Sequence, residues 1–396
     1  MAAKSETVNA GSGRVGSIDE DLLVDLTKGL CRFASPLGQE GPVAEYLRSR
    51  LRELGFATER QEVVEGRPNI IGILPGATAF RSVLLNGHLD MPMPFGKWRR
   101  DPFDPWMEGD ILFGGGILDM KGGLASLVVG ALAAAASTPT RGDIVLAAVV
   151  HHDTTGLGTK YFLDASESAF DYGIVGEPTH LQVTLSHAGA WGFEIETTGI
   201  TRHQVRLEEG VNAITGMLGI VDRLSVKRLT YVPEPSMPRL PSLVVGTIEG
   251  GEVNTMTADR CMARGDIRFL PGMTVGQLKA DVGAILDEVR SEMPGLGAEV
   301  NTYRQQWPYV TDVGHESVAA VLRAHEAQVG VAPNTRQGSR GISDAADMQR
   351  RGIDTVHYGP CEWKTEPDEG VAVAELRTAA AVYADAVAHL AGQPRS

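Results

Sequence analysis

A chain of 396 residues is too long for one ordinary core, so two domains are expected, one inserted in the other. Hydrophobic residues make up 43% and charged residues 22%, values of a soluble globular protein that argue against disorder and membrane residence. The net charge of −14 comes in no long acidic block and disfavours nucleic acid and anionic lipid as partners.

The chain opens with MAAKSETVNAGSGRVGS, residues 1–17, small and polar without an apolar centre, which reads as a flexible tail and not as a signal peptide. No run approaches the roughly 20 apolar residues of a membrane span. The cysteines, Cys31, Cys261 and Cys361, lie too far apart in sequence for a CxxC metal knuckle or a disulfide framework. A reducing, cytoplasmic location is the expectation.

Residues 18–55 carry helical periodicity in Leu22, Leu23, Leu26 and Leu30, then in Val43, Tyr46, Leu47, Leu51 and Leu54, with the turn-rich SPLGQEG between. NIIGILPG, SVLLNGHLD, DIVLAAVVHHD and YGIVGEPT follow, each an apolar strand that ends in polar residues. The small-residue helix KGGLASLVVGALAAAAS separates two of them. Such alternation predicts an α/β fold, a mostly parallel sheet covered by helices on both faces, with ligands bound beyond the carboxyl ends of the strands.

Near residue 188 the pattern changes. WGFEIETTG, SLVVGTIEGG and CMARGDIRFLP alternate as antiparallel strands around the helices VNAITGMLGIVDRLS and TVGQLKADVGAILDEVRSEM. The helices SVAAVLRAHEAQVG and AVAELRTAAAVYADAVAHLAG, flanking DTVHYGP, then read as a return to the first unit. The expected division is therefore a catalytic domain of residues 18–187 and 300–396, with an inserted α+β lid or dimerisation domain at 188–299.

His88 and Asp90 stand at i and i+2 on a strand end and so share a face, a spacing in which an imidazole takes a metal while a carboxylate holds its other nitrogen. Asp119 follows the glycine-rich turn of FGGGILDMKGG, and Glu177 ends the strand of VGEPTH. His, Asp and Glu from three strand ends of one sheet suit Zn²⁺.

These segments, in order with SPLGQEG, HQVRLEEGVNAI, GGEVNTMTADRC, DIRFLPG, ISDAADM and YGPCEWKTEPDEGV, resemble the zinc aminoacylase and carboxypeptidase family that includes succinyl-diaminopimelate desuccinylase, acetylornithine deacetylase and glutamate carboxypeptidase. The resemblance implies a two-metal site in which His88 and Glu177 hold one zinc and Asp119 bridges to a second. It implies a homodimer in which His203 reaches the partner's active site and polarises the substrate carbonyl. Asn254 and Arg268 fall where the family holds a substrate carboxylate, and a guanidinium fork suits that role. Arg336 and Arg340, beside the GISDA turn, add candidate anion contacts.

The chain departs from the family at the remaining positions. Its acidic triplet becomes His151, His152 and Asp153, so the general base falls on His152 and the second-metal glutamate on the shorter Asp153. The C-terminal histidine ligand becomes Thr365, and the arginine ahead of the bridging aspartate becomes Gly115. Asp119 and Asp153 alone are too few for a second zinc, so one zinc at most is expected unless His151, His152, Glu366 or Cys361 rebuilds the site. Three roles stay open for His152: general base, metal ligand and substrate contact. An imidazole base ends cationic beside a cation, which argues against a simple exchange for glutamate.

Three functions follow as expectations. The first is a metal-dependent amidohydrolase acting on a small N-acylated amino acid or short amide with a free carboxylate, using Asp90, His152 and His203 as catalytic groups, Asn254, Arg268, His151 and Arg340 for the substrate, and His88, Asp119, Glu177 and Asp153 for metal. The second is a repurposed enzyme that forms an amide or ring, or eliminates, with or without metal. The third is a binding protein without turnover.

Overall fold

The structure is a computed structural model that describes residues 17–139, 141–166, 169–364 and 366–395. The expected tail, apart from Ser17, and the Thr365 position lie outside the described residues.

An eight-stranded sheet runs in the order Ala57–Val64, Arg67–Leu74, Ile144–Val149, Val83–His88, Tyr172–Val175, Asp354–His357, Val183–Thr184 and Thr335–Arg336. Its centre is parallel: Val83–His88 pairs in parallel with Ile144–Val149 on one side and with Tyr172–Val175 on the other, which in turn pairs in parallel with Asp354–His357. The two strands at the 57–74 edge are antiparallel. Strands buried on both faces need continuous apolar runs, and VLLNGH, IVLAAV and YGIV are buried at every position. The α/β expectation holds.

Helices cover the sheet. Glu20–Cys31 starts at Asp19, whose carboxylate accepts from the Leu22 N–H at 2.9 Å, and buries Leu23, Leu26 and Leu30. Gly122–Ser137 packs on Val373–Ala391 so closely that a Cβ at Gly130 would stand 2.8 Å from the Ala380 carbonyl oxygen. The stretch Ile117–Ser137 is long and apolar enough to cross a membrane, against the expectation that no run comes near it; 89% of its most apolar window is buried inside the fold, as in a core helix. Cys31, Cys261 and Cys361 are all free and buried.

The second sheet is antiparallel, in the order Ser242–Gly250, Arg260–Phe269, Gly189–Thr198 and Gly297–Gln306. The helices Ala213–Arg223 and Val275–Glu292 close a separate core around Trp191, Phe193, Ile195, Ile267 and Leu286. The fourth strand, which the sequence reading does not contain, is an edge strand with little burial on either face. Little apolar alternation marks it, and it runs to Gln306, past the expected boundary at 299.

Candidate metal centre

The parallel strands deliver their carboxyl ends to one rim. His88 closes one strand, His152 lies three residues beyond Val149, Glu177 two beyond Val175, and His357 closes the fourth. Asp119 arrives from the side, in the turn between Phe113 and the helix beginning at Gly122. Gly116 in that turn has φ 76°, and its N–H donates to Glu369 Oε2 at 2.9 Å. At Gly115, where the resemblance places arginine, a Cβ would stand 3.2 Å from both Phe103 and Pro102, so a side chain there would need its neighbours to yield by a few tenths of an ångström.

At the centre, His88 Nε2 lies 3.1 Å from Asp119 Oδ1 and 3.7 Å from Glu177 Oε1, and His152 Nε2 lies 3.5 Å from the same Glu177 oxygen. The two imidazoles are stacked, centroids 4.4 Å apart and 4° from coplanar. Among the described residues, His88, His152 and Glu177 form a set of three mutually close donors, all buried. Donors of a tetrahedral ion at 2.0–2.2 Å are about 3.3–3.6 Å apart. The two spacings to Glu177 lie close to that range, so the set is a candidate for one cation, with Asp119 beside His88 at 3.1 Å.

The charges agree. Burial opposes a charged imidazole at His88, yet Glu177 and then Asp119 hold its pKa well above the usual value. At His152 burial again opposes, and the Asp344 carboxylate and Glu177 lift the pKa to about 9. Carboxylates crowded here draw positive charge into the cluster.

His152 is held from behind. Its Nδ1 is 3.0 Å from Asp344 Oδ1, Thr159 Oγ1 donates to Asp344 Oδ2 at 2.6 Å, and Asn86 Nδ2 donates to Thr159 Oγ1 at 3.0 Å. All four residues are buried. A carboxylate on one imidazole nitrogen fixes the ring so that the other faces the centre. This is the arrangement expected of Asp90 on His88, and the expectation is corrected on that point. His88 Nδ1 meets the main-chain oxygen of Asp90 at 2.8 Å, while the Asp90 carboxylate accepts from the N–H groups of His152 and Asp153 at 3.0 and 2.9 Å. The strand stops at His88, so the i, i+2 alternation does not carry through to Asp90. Its carboxylate instead caps the one-turn helix His152–Thr155.

A cavity of about 900 Å³ opens over the cluster, with Asp119, His152, Asp153 and Glu177 on its floor. Asp153 lines it but stands outside the three-donor set. The wall includes the candidate anion contacts Arg268, Arg336 and Arg340, together with Arg304. Arg268 Nε donates to Asp266 Oδ1 at 2.7 Å and its Nη1 approaches the Arg340 carbonyl at 3.4 Å. Arg304 donates from Nε and Nη2 to Gln306 Oε1 at 3.0 and 2.7 Å, and Gln306 Nε2 donates to the main-chain oxygen of His152 at 3.0 Å.

Three candidates lie elsewhere. His151 adopts φ 64° and turns its Nδ1 to Thr154 Oγ1 at 2.6 Å, away from the cavity lining. His203 and Asn254 are exposed and do not line this chain's own cavity. Conversely, Asp344, Gln306 and Arg304 escaped the sequence reading. Asp344, the first of two acids in ISDAADM, was the one available signal, and nothing in the sequence ties it to His152.

A parallel sheet whose strand ends gather two histidines and two acids beneath an arginine-lined cavity defines the class of metal-dependent hydrolases. Residues 84–389 match peptidase family M20/M25/M40, and the chain belongs to that family. It is 30% identical over 376 residues to succinyl-diaminopimelate desuccinylase of Dinoroseobacter shibae, covering 91% of this chain and 97% of that one. To acetylornithine deacetylase of Klebsiella pneumoniae it is 32% identical over 249 residues, 62% of this chain; the match spans 65% of that relative's length. The fold is shared with a tripeptidase from Staphylococcus aureus, with TM-score 0.79, 20% identity and coverage of 96% and 100% of the two chains.

Proposed function

We propose that the protein is a one-zinc amide hydrolase that removes an acyl group from a small N-acylated amino acid bearing a free carboxylate. The observation that carries this reading is the convergence of His88 and His152 on Glu177, at 3.7 and 3.5 Å, beside the arginine-lined cavity that His152 and Glu177 line. In this reading His152 is a ligand, alongside His88, Glu177 and Asp119. The bound ion supplies a Lewis acid for the scissile carbonyl and acidifies water. Asp153, on the cavity floor, takes the proton from the attacking water and passes it to the leaving nitrogen. A carboxylate base becomes neutral in that step, which suits a site already holding a cation. Arg268 and Arg340 hold the substrate carboxylate.

His203 and Asn254 complete the cavity of a second copy in this proposal. Their exposure supports it, as does the apolar surface around them, with Val205 80% exposed, Leu207 55% and Val253 55%. The 188–299 unit is then the dimerisation lid. Asp344 also favours a second reading, since a carboxylate-oriented imidazole is a competent acid–base pair without metal; there His152 works in a non-hydrolytic step.

Metal analysis of protein purified without chelator, with N-acyl amino acids as substrates, tests both. One equivalent of zinc, and hydrolysis abolished by chelation and restored by zinc, is the expected result. Full metal occupancy without hydrolysis of any N-acyl amino acid, or turnover of a carboxylated metabolite by metal-free protein, overturns the first reading.

A further inference from the structure

Along one edge of the large sheet, three cavity-lining residues stand in a row. Thr184 is paired with His357 on one neighbouring strand and with Arg336 on the other. Residues directly opposite across strands project to the same face, so the three side chains are neighbours. Thr184 Oγ1 and His357 Nε2 are buried without a hydrogen-bond partner, in residues 1% and 5% exposed, and the Arg336 guanidinium has no ion-pair partner among the described residues. Buried polar atoms without partners are rare and costly, and at a cavity wall they mark the place of a ligand.

We propose that Arg336, Thr184 and His357 form a second anion subsite, so that the substrate carries an anionic oxygen group, carboxylate or phosphate, in addition to the carboxylate held by Arg268 and Arg340. The inference rests on the reading of this cavity as the substrate site and deepens it from a monoanionic to a dianionic substrate. Arg336 supplies charge and the Thr184 hydroxyl a donor. His357 can supply the third hydrogen bond. His187 Nδ1 donates to the Ala188 carbonyl at 2.9 Å, and its Nε2 lone pair accepts from the Ser343 N–H at 3.3 Å. The Ser343 hydroxyl lies 3.1 Å from His187 Nε2 and 3.3 Å from His357 Nδ1 and can serve either ring; donated to His357 Nδ1, it leaves the His357 proton on Nε2. Burial, followed by His187 and Arg336, keeps the His357 imidazole neutral. A free guanidinium beside an unpartnered hydroxyl and a neutral imidazole favours an anion over a cation. None of Asp119, Asp153 and Glu177, the acids at the cavity floor, is paired with any of the three.

The test compares N-acetyl derivatives of aspartate, glutamate and 2-aminoadipate with their side-chain amides, and N-acetyl-O-phosphoserine with N-acetylserine, by calorimetric Kd and by KM and kcat. Wild-type protein is expected to bind at least one dianion about tenfold more tightly than its neutral-side-chain counterpart, the worth of one charge-assisted contact. Arg336→Ala is expected to bring that ratio to about one while the monoanion keeps its Kd. Arg336→Lys should restore part of the ratio, and His357→Gln and Thr184→Val should each lower it. The carboxylate and phosphate pairs show which group is taken. A ratio near one in the wild type, or equal weakening of monoanion and dianion in Arg336→Ala protein of unchanged Tm, overturns the proposal. Because Kd is read without turnover, a protein that hydrolyses nothing still answers this question while refuting the hydrolase reading.

Discussion

Asp344 Oδ1 lies 3.0 Å from His152 Nδ1, a buried pair joined across 192 residues of sequence. Asp344→Asn is therefore expected to keep the fold and weaken zinc binding about 10–100-fold, the usual effect of removing a carboxylate behind a ligating histidine. Competition against a chromogenic chelator measures it. Wild-type affinity in the variant would show that His152 is not a ligand.

His152 and Asp153, adjacent in sequence, have separable assignments. His152→Ala should lose most of the bound metal, whereas Asp153→Asn should retain one equivalent and lose about 10²–10⁴-fold in kcat. Elemental analysis alongside steady-state kinetics reads both. If His152→Ala protein held its metal and lost only kcat, the base would be His152.

Gln306 joins the antiparallel sheet to the metal centre, donating to the His152 main-chain oxygen and accepting from Arg304. Gln306→Ala strands a buried carbonyl and leaves the guanidinium short of an acceptor. A loss of about 1–3 kcal/mol is expected in urea unfolding, with KM raised through the displaced Arg304. Gln306→Glu preserves the acceptor for Arg304 but not the donor to His152, so it should rescue KM more than stability.

Asp347 gives the pH dependence a sign. Burial, only partly offset by Lys160, raises its carboxyl pKa to about 7. Between the ordinary carboxyl range and pH 7 the native state then holds a proton that the unfolded state has released, so this group makes stability fall as pH rises through that window. Asp347→Asn should abolish that fall. The variant is expected to gain on the order of 1–3 kcal/mol over wild type at pH 8 and little at pH 4.5, measured by urea denaturation at both values. An equal effect at the two pH values would remove titration as the cause.

The sequence reveals most of what a strand carries to its own end. His88, Asp119 and Glu177 are visible because each follows an apolar run or a glycine turn, and the parallel sheet brings such ends to one rim. It does not reveal partners supplied by distant loops. Asp344 is an acid in a turn like many others until the fold sets it behind His152. Asp90 shows the opposite error, since alternation assigned it to His88 although the strand had already ended. Arg304 and Gln306 sit on an edge strand with little apolar alternation, so the strand and its contribution were missed together.

No two of His88, Asp119, His152 and Glu177 come from the same strand or turn, and Asp344 is farther along the chain still. Metal affinity at the proposed site would thus be a property of the assembled molecule: a fragment ending before residue 177 lacks a donor, and a nascent chain cannot close the set until the sheet has zipped together. In that proposal, loading with metal would report completed folding.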